Sequence, residues 1–211
     1  MENNAVILIF AKAPIPGTVK TRLIPSIGDA AAAMLHSALT ERVIKTACAT
    51  EMDVVLCCAP DSSHPFFRDC ADDFSIDLID QLNDTSLGAR MLASLNEALV
   101  DYSRVILIGA DCPAFTPAHF GDANTELATH DVVLTPAEDG GYTLIGARKT
   151  RPTMFANIDW GTNTVMNAQR QALSAAQLTW HETATLWDVD TAEDLPRLQT
   201  LKPPFAFFLP S

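Results

Sequence analysis

The chain has 211 residues, 48% of them apolar, and carries 26 acidic against 14 basic side chains, a formal net charge of −12. That length suits one domain, 1–211, with a sizeable core. The charge argues against general binding to nucleic acids or anionic membranes, because both require surplus Lys and Arg to neutralise phosphate. The opening Met-Glu-Asn-Asn leads into only six apolar residues, so neither a secretory leader nor a membrane span is expected. Five cysteines without metal-ligand spacing predict reduced thiols in a cytoplasm, with Cys57 and Cys58 as core filler.

Short β-branched runs alternate with longer amphipathic ones. Residues 5–10 read as a buried strand, and residues 29–49 as an Ala-rich helix after the turn Pro25-Ser26-Ile27-Gly28. A strand is predicted at 53–58, then a loop and a short helix, then a helix over 86–101 with Leu87, Met91, Leu95 and Leu99 near the helical period. Residues 104–109 form a strand that runs into the polar turn "ADCPAF", with a helix at 117–128 and a strand at 131–136. Gly140-Gly141 followed by "YTLIGA" reads as a hairpin arm, and helices at 163–176 and 191–200 complete the order. This alternation predicts a three-layer α/β/α sandwich around a mainly parallel mixed sheet, with ligands at the carboxyl ends of its strands. The apolar tail 202–211 is expected to dock on the domain or on a second subunit, which favours a homodimer.

Four polar segments follow predicted strands or lie late in the chain. The loop "FAKAPIPGTVKTRL" gathers Lys12, Lys20 and Arg22, stiffened by Pro14 and Pro16, with Gly17 allowing close backbone approach to an anion. It contains neither G-x-x-x-x-G-K-[ST] nor G-x-G-x-x-G, so an ordinary ATPase or a nicotinamide dehydrogenase is not indicated. Asp111, at the end of a buried strand, must cap, pair or bind a cation, and Thr116 is better placed than Asp111 to cap the next helix. Glu138 and Asp139 precede the two glycines, which makes either a tight hairpin or a gap for a bulky polar substrate. Asp188 and Asp190 alternate, and would project to one side in a strand; Thr191 with Glu193-Asp194 instead suits a helix start. None of the five histidines shows metal-ligand spacing with another, and His181 reads as an edge-strand residue.

Together, "FAKAPIPGTVKTRL", "LGARM", "LIGADCP", "PAEDGGYTLIG", "WGTNTV" and "DVDTAEDL" resemble, in order, the small bacterial proteins of the glycosyltransferase A (nucleotide-diphospho-sugar transferase) fold, of the arsenosugar-biosynthesis type. The pattern is more distantly similar to nucleotidyltransferases of molybdenum-cofactor and phospholactate metabolism. The resemblance implies a metal-dependent transferase that uses a nucleotide-diphosphate sugar and a small hydroxyl acceptor. Lys12, Gly17, Lys20, Arg22 and Arg90 would then hold the nucleotide phosphates, while Asp111 with Asp188 or Asp190 would hold Mg²⁺ or Mn²⁺. Glu138, Gly140, Gly141 and Trp160 would form the acceptor pocket, and Asp139 would act as general base. The family usually carries Gly-Asp just before "LG-x-R-M"; here Thr85-Ser86 stand there and Asn83-Asp84 come earlier. A nucleotidyltransferase and a non-catalytic nucleotide-sugar sensor are the alternatives.

Overall fold

The computed structural model of the protein describes residues 4–82 and 86–201. The segment 83–85 and the tail 202–211, with the docking expected of it, lie outside the described residues. Seven strands, β1 (Ala5–Lys12), β2 (Asp53–Ala59), β3 (Asp77–Asp80), β4 (Arg104–Gly109), β5 (Val132–Pro136), β6 (Tyr142–Ala147) and β7 (Trp180–Glu182), form one sheet in the order β3-β2-β1-β4-β6-β5-β7. Helices α1 (Ile24–Ile27), α2 (Asp29–Ala47), α3 (Pro65–Phe74), α4 (Leu87–Asp101), α5 (Pro117–Glu126) and α6 (Val165–Ala175) connect them.

The central strand β1 is apolar at nearly every position because helices cover both faces of the sheet. Ile7 and Ile9 pack with Val43, Ile44, Phe67 and Phe120 from α2, α3 and α5. Val6 and Leu8 point the other way, towards Met91 and Leu95 of α4 and Met166 and Leu173 of α6. The result is the expected three-layer mixed sandwich. A third, smaller cluster joins Leu23, Leu35, Leu39, Val189, Leu195 and Leu198.

Topology decides where a ligand can sit. The chain builds β1, β2 and β3 outward in one direction, then returns through α4 to place β4 on the other side of β1. That reversal opens a crevice between the carboxyl ends of β1 and β4. Strand β6 is antiparallel to β4 and to β5, so its first residues, and the turn 137–141 before it, lie at that same edge.

Several expectations shift in detail. β1 runs on to Lys12 because Ala11 and Lys12 still pair with Cys58 and Ala59. The edge strand β3, four residues reading Asp-Leu-Ile-Asp, is not predicted by so short an apolar signal. Residues 188–190 are irregular rather than a strand, and 191–200 forms a 3-10 helix, Ala192–Thr200, with Thr191 as N-cap and Pro196 inside. Among the described residues no helix is long and apolar enough to cross a membrane.

Candidate active site

The opening loop returns from β1 through two left-handed residues, Gly17 at φ 84° and Lys20 at φ 49°, and anchors itself by burying Leu23 in the small third cluster. Val189, in the late acidic segment, belongs to that cluster too. Residues far apart in the chain are thereby held side by side. Lys20 donates to the Val189 carbonyl and sits 2.6 Å from Asp111 Oδ1, with its own side chain only 4% exposed. Arg22 pairs with Asp190. The Val189 N–H closes the arrangement by donating to the Asp111 carbonyl at 3.0 Å.

Asp111 is held asymmetrically. Its Oδ1 is buried, yet the side chain as a whole is 47% exposed, which leaves the other oxygen to face the cleft. Burial would raise this carboxyl, but the Lys20 ammonium and His36 beside it hold it well below the usual carboxylate range. His36 Nδ1 lies 3.7 Å from Asp111 Oδ1, and its Nε2 meets the Lys12 carbonyl at 2.9 Å. One histidine thus ties the start of the basic loop to the aspartate.

Lys12, Lys20, Arg22, Arg90, Asp111 and Asp190 all line one cleft of about 440 Å³. Arg90, in the first turn of α4, donates to Gln81 Oε1 at 2.8 Å, and the buried Gln81 donates in turn to the Cys57 carbonyl at 2.7 Å. Phe10, Leu87 and Gly109 also line a second lobe of about 230 Å³, which is more apolar and includes Met91, Tyr142 and Trp160. Trp160 packs on Gly88 of the "LGARM" segment, joining two of the sequence signatures.

Asp139 and Gly141 line this second lobe, and Asp139 Oδ1 accepts from the Gly141 N–H at 2.8 Å. Glu138 and Gly140 are turned elsewhere. Glu138 makes a two-point ion pair with Arg197, at 2.6 and 2.9 Å, whose guanidinium covers Trp187. Gly140 presses against the Asn163 backbone, and its carbonyl accepts from Met166 N–H in the first turn of α6. Gly17 shapes the loop through its positive φ and does not line the cleft.

Asp188 is pushed up to about 6 by burial and by the nearby charges of Asp139 and Asp111. Crowded carboxylates of this kind suit a divalent cation. Asp190 lines the cleft but is committed to Arg22, whereas Asp188 is not among the residues lining either lobe. Asp194, by contrast, is structural: it accepts from the backbone N–H groups of Asp190 and Thr191.

Two contributors have no sequence signal. His36 stands 75 residues before Asp111, and Gln81 lies in a segment without a motif; only the packing of α2 and the end of β3 brings them to the cleft.

Residues 42–162 match the family described as "Uncharacterized protein conserved in bacteria (DUF2064)". No curated protein matches at a significant level. Among solved structures, a candidate nucleotide-diphospho-sugar transferase from Desulfovibrio desulfuricans G20 is 31% identical at a TM-score of 0.86, covering 98% of this chain and 90% of that one. A nucleotidyl transferase from Methanothermobacter thermautotroptrophicus is similar in fold, at 10% identity and a TM-score of 0.65, covering 94% and 97% of the two chains. So is a CMP:2-keto-3-deoxy-manno-octonic acid synthetase complexed with CTP, at 14% identity and a TM-score of 0.62, covering 95% and 98%. The chain therefore belongs to the DUF2064 family and has the nucleotide-diphospho-sugar transferase fold.

Proposed function

We propose that the protein is a transferase that takes a nucleotide-diphosphate sugar into the cleft and passes the glycosyl group to a small hydroxyl acceptor. The observation that supports this most directly is the meeting of Lys12, Lys20, Arg22, Arg90 and Asp111 in one cleft that continues into an apolar lobe. The basic side suits a diphosphate, and the lobe containing Trp160 and Tyr142 suits a sugar ring and its acceptor. In transfer, the bond between the anomeric carbon and the phosphate oxygen breaks and the acceptor oxygen bonds to that carbon. The acceptor proton passes to Asp139, whose carboxylate is oriented by the Gly141 N–H. Charge growing on the departing diphosphate is met by Lys20, Arg22 and Arg90, already fixed by Asp111, Asp190 and Gln81. Mg²⁺ or Mn²⁺ bound by Asp111 and Asp188 would supply further charge neutralisation at that diphosphate.

A thermal-shift panel of nucleotides and nucleotide sugars, with and without Mn²⁺, tests the reading, since a ligand selective for the native state raises its melting temperature. Lys20→Ala and Asp111→Asn are expected to abolish the shift and the turnover while leaving a folded protein. Full activity in either variant refutes the role assigned to that side chain. Pyrophosphate release from a nucleoside triphosphate with a phosphorylated acceptor would decide instead for nucleotidyl transfer. Tight, metal-independent binding without donor breakdown would decide for a sensor.

A further inference from the structure

At the edge of the sheet opposite the cleft, Glu126, His130 and His181 offer three ligand atoms that all lie within 4.8 Å of one another. Glu126 ends α5, which descends from the cleft edge to the start of β5; His130 follows one turn later, and His181 lies on β7 opposite Val133. The two histidines are 51 residues apart, so this grouping exists only in the fold. We propose that these three side chains form a binding site for a divalent transition-metal ion of the Zn²⁺, Co²⁺ and Ni²⁺ class, separate from the nucleotide cleft.

The spacing supports it. Glu126 Oε2 lies 3.3 Å from His130 Nδ1 and 3.6 Å from His181 Nδ1. A charge-assisted hydrogen bond between such groups settles at about 2.7–2.9 Å. Ligand atoms about 2.0–2.1 Å from a tetrahedral ion stand roughly 3.3–3.4 Å apart. The two separations from Glu126 lie nearer to that spacing than to the hydrogen-bond range, and the third lies within 4.8 Å. The two imidazole rings lie against each other, with centroids 5.4 Å apart and planes tilted by 43°.

The donor set also selects the ion. Two imidazoles and one carboxylate suit Zn²⁺ and its neighbours, whereas Mg²⁺ and Mn²⁺ prefer an all-oxygen shell. Three protein ligands leave a fourth position for water. His130 Nδ1 also meets the Glu126 carbonyl at 3.2 Å and Thr129 Oγ1 at 3.1 Å, contacts that coordination would replace. Such an ion would fasten the end of α5 to β7, a three-residue strand that among the described residues pairs with β5 alone.

Calorimetric titration of the full chain with ZnCl₂, together with the visible spectrum of the Co²⁺ form, tests the site. With excess Mg²⁺ present to occupy the cleft carboxylates, the expected result is one Zn²⁺ per chain and a four-coordinate Co²⁺ spectrum. His130→Ala and His181→Ala should each weaken Zn²⁺ binding by more than about tenfold, a loss that even outer partners of a metal site can cause, and should remove the Co²⁺ spectrum. Asp111→Asn should bind Zn²⁺ as the parent does. Absence of Zn²⁺ binding overturns the proposal, as does binding that survives both histidine changes or is lost with Asp111→Asn. His181→Gln, which retains bulk and polarity, serves where His181→Ala fails to fold.

Discussion

Gly140→Ala and Gly17→Ala form a matched pair, because both glycines have positive φ, 92° and 84°, but only one is crowded. A Cβ on Gly17 would meet nothing within 4 Å, so that change carries only the conformational penalty, about 1–2 kcal/mol. A Cβ on Gly140 would stand 2.3 Å from the Asn163 carbonyl oxygen, against ordinary contacts of 3.4–4 Å, so turn and helix must separate by about an ångström. That movement disrupts the 2.8 Å bond from Met166 N–H to the Gly140 carbonyl and loosens the 3.2 Å bond from Gly140 N–H to Ala137, each worth roughly 0.5–1.5 kcal/mol. The expected total for Gly140→Ala is about 3–4 kcal/mol. For a chain of this size each kcal/mol lowers Tm by roughly 2–4 °C. Thermal unfolding followed by circular dichroism should therefore show a loss of about 10 °C for Gly140→Ala and only a few degrees for Gly17→Ala. Equal losses would mean that the turn is not clamped against Asn163, and that Asp139 is not held in place by that clamp.

Two further outcomes test the cleft. Gln81→Leu removes the acceptor of Arg90 and leaves the Cys57 carbonyl without its donor, so nucleotide-diphosphate affinity should fall about tenfold and stability by about 1–3 kcal/mol; unchanged affinity would show that Arg90 needs no support. Asp188 has its folded pKa, about 6, above the ordinary carboxylate value, so its contribution to stability is full below about pH 4 and is lost as pH rises through 6. Asp111 has the opposite sign, its contribution being lost only as pH falls below about 4. In metal-free protein, denaturant titrations should thus show stability falling by about 2 kcal/mol between pH 4 and 7, and Asp188→Asn should flatten that slope. An unchanged slope would place the titrating group elsewhere.

Much of the fold was legible because the buried strands β1, β4 and β5 are continuous apolar runs, which mark a sheet covered on both faces. β3 escaped because an edge strand of four residues, two of them acidic, buries too little to leave a pattern. The convergence of Lys20, Arg22 and Asp111 could be anticipated, since each follows a parallel strand and such ends share one edge. Glu138 shows the limit of that rule. Its position after β5 was readable, but its commitment to Arg197 depends on how the last 3-10 helix folds back, which no local pattern encodes. His130 and His181 illustrate the same limit, because strand pairing rather than spacing brings them together.

The small cluster of Leu23, Leu35, Leu39, Val189, Leu195 and Leu198 has a consequence for biosynthesis. The seven strands are complete by Glu182, yet the acceptor for Lys20 and the partner of Arg22 arrive only with Val189 and Asp190. A nascent chain that has emerged as far as its sheet can already pair Lys20 with Asp111 and Arg90 with Gln81, but it lacks the Val189 carbonyl and the Asp190 carboxylate that complete the hold on Lys20 and Arg22. Completion of the sheet and completion of the cleft's ion pairs are therefore separate events in synthesis, the second waiting on Val189 and Asp190.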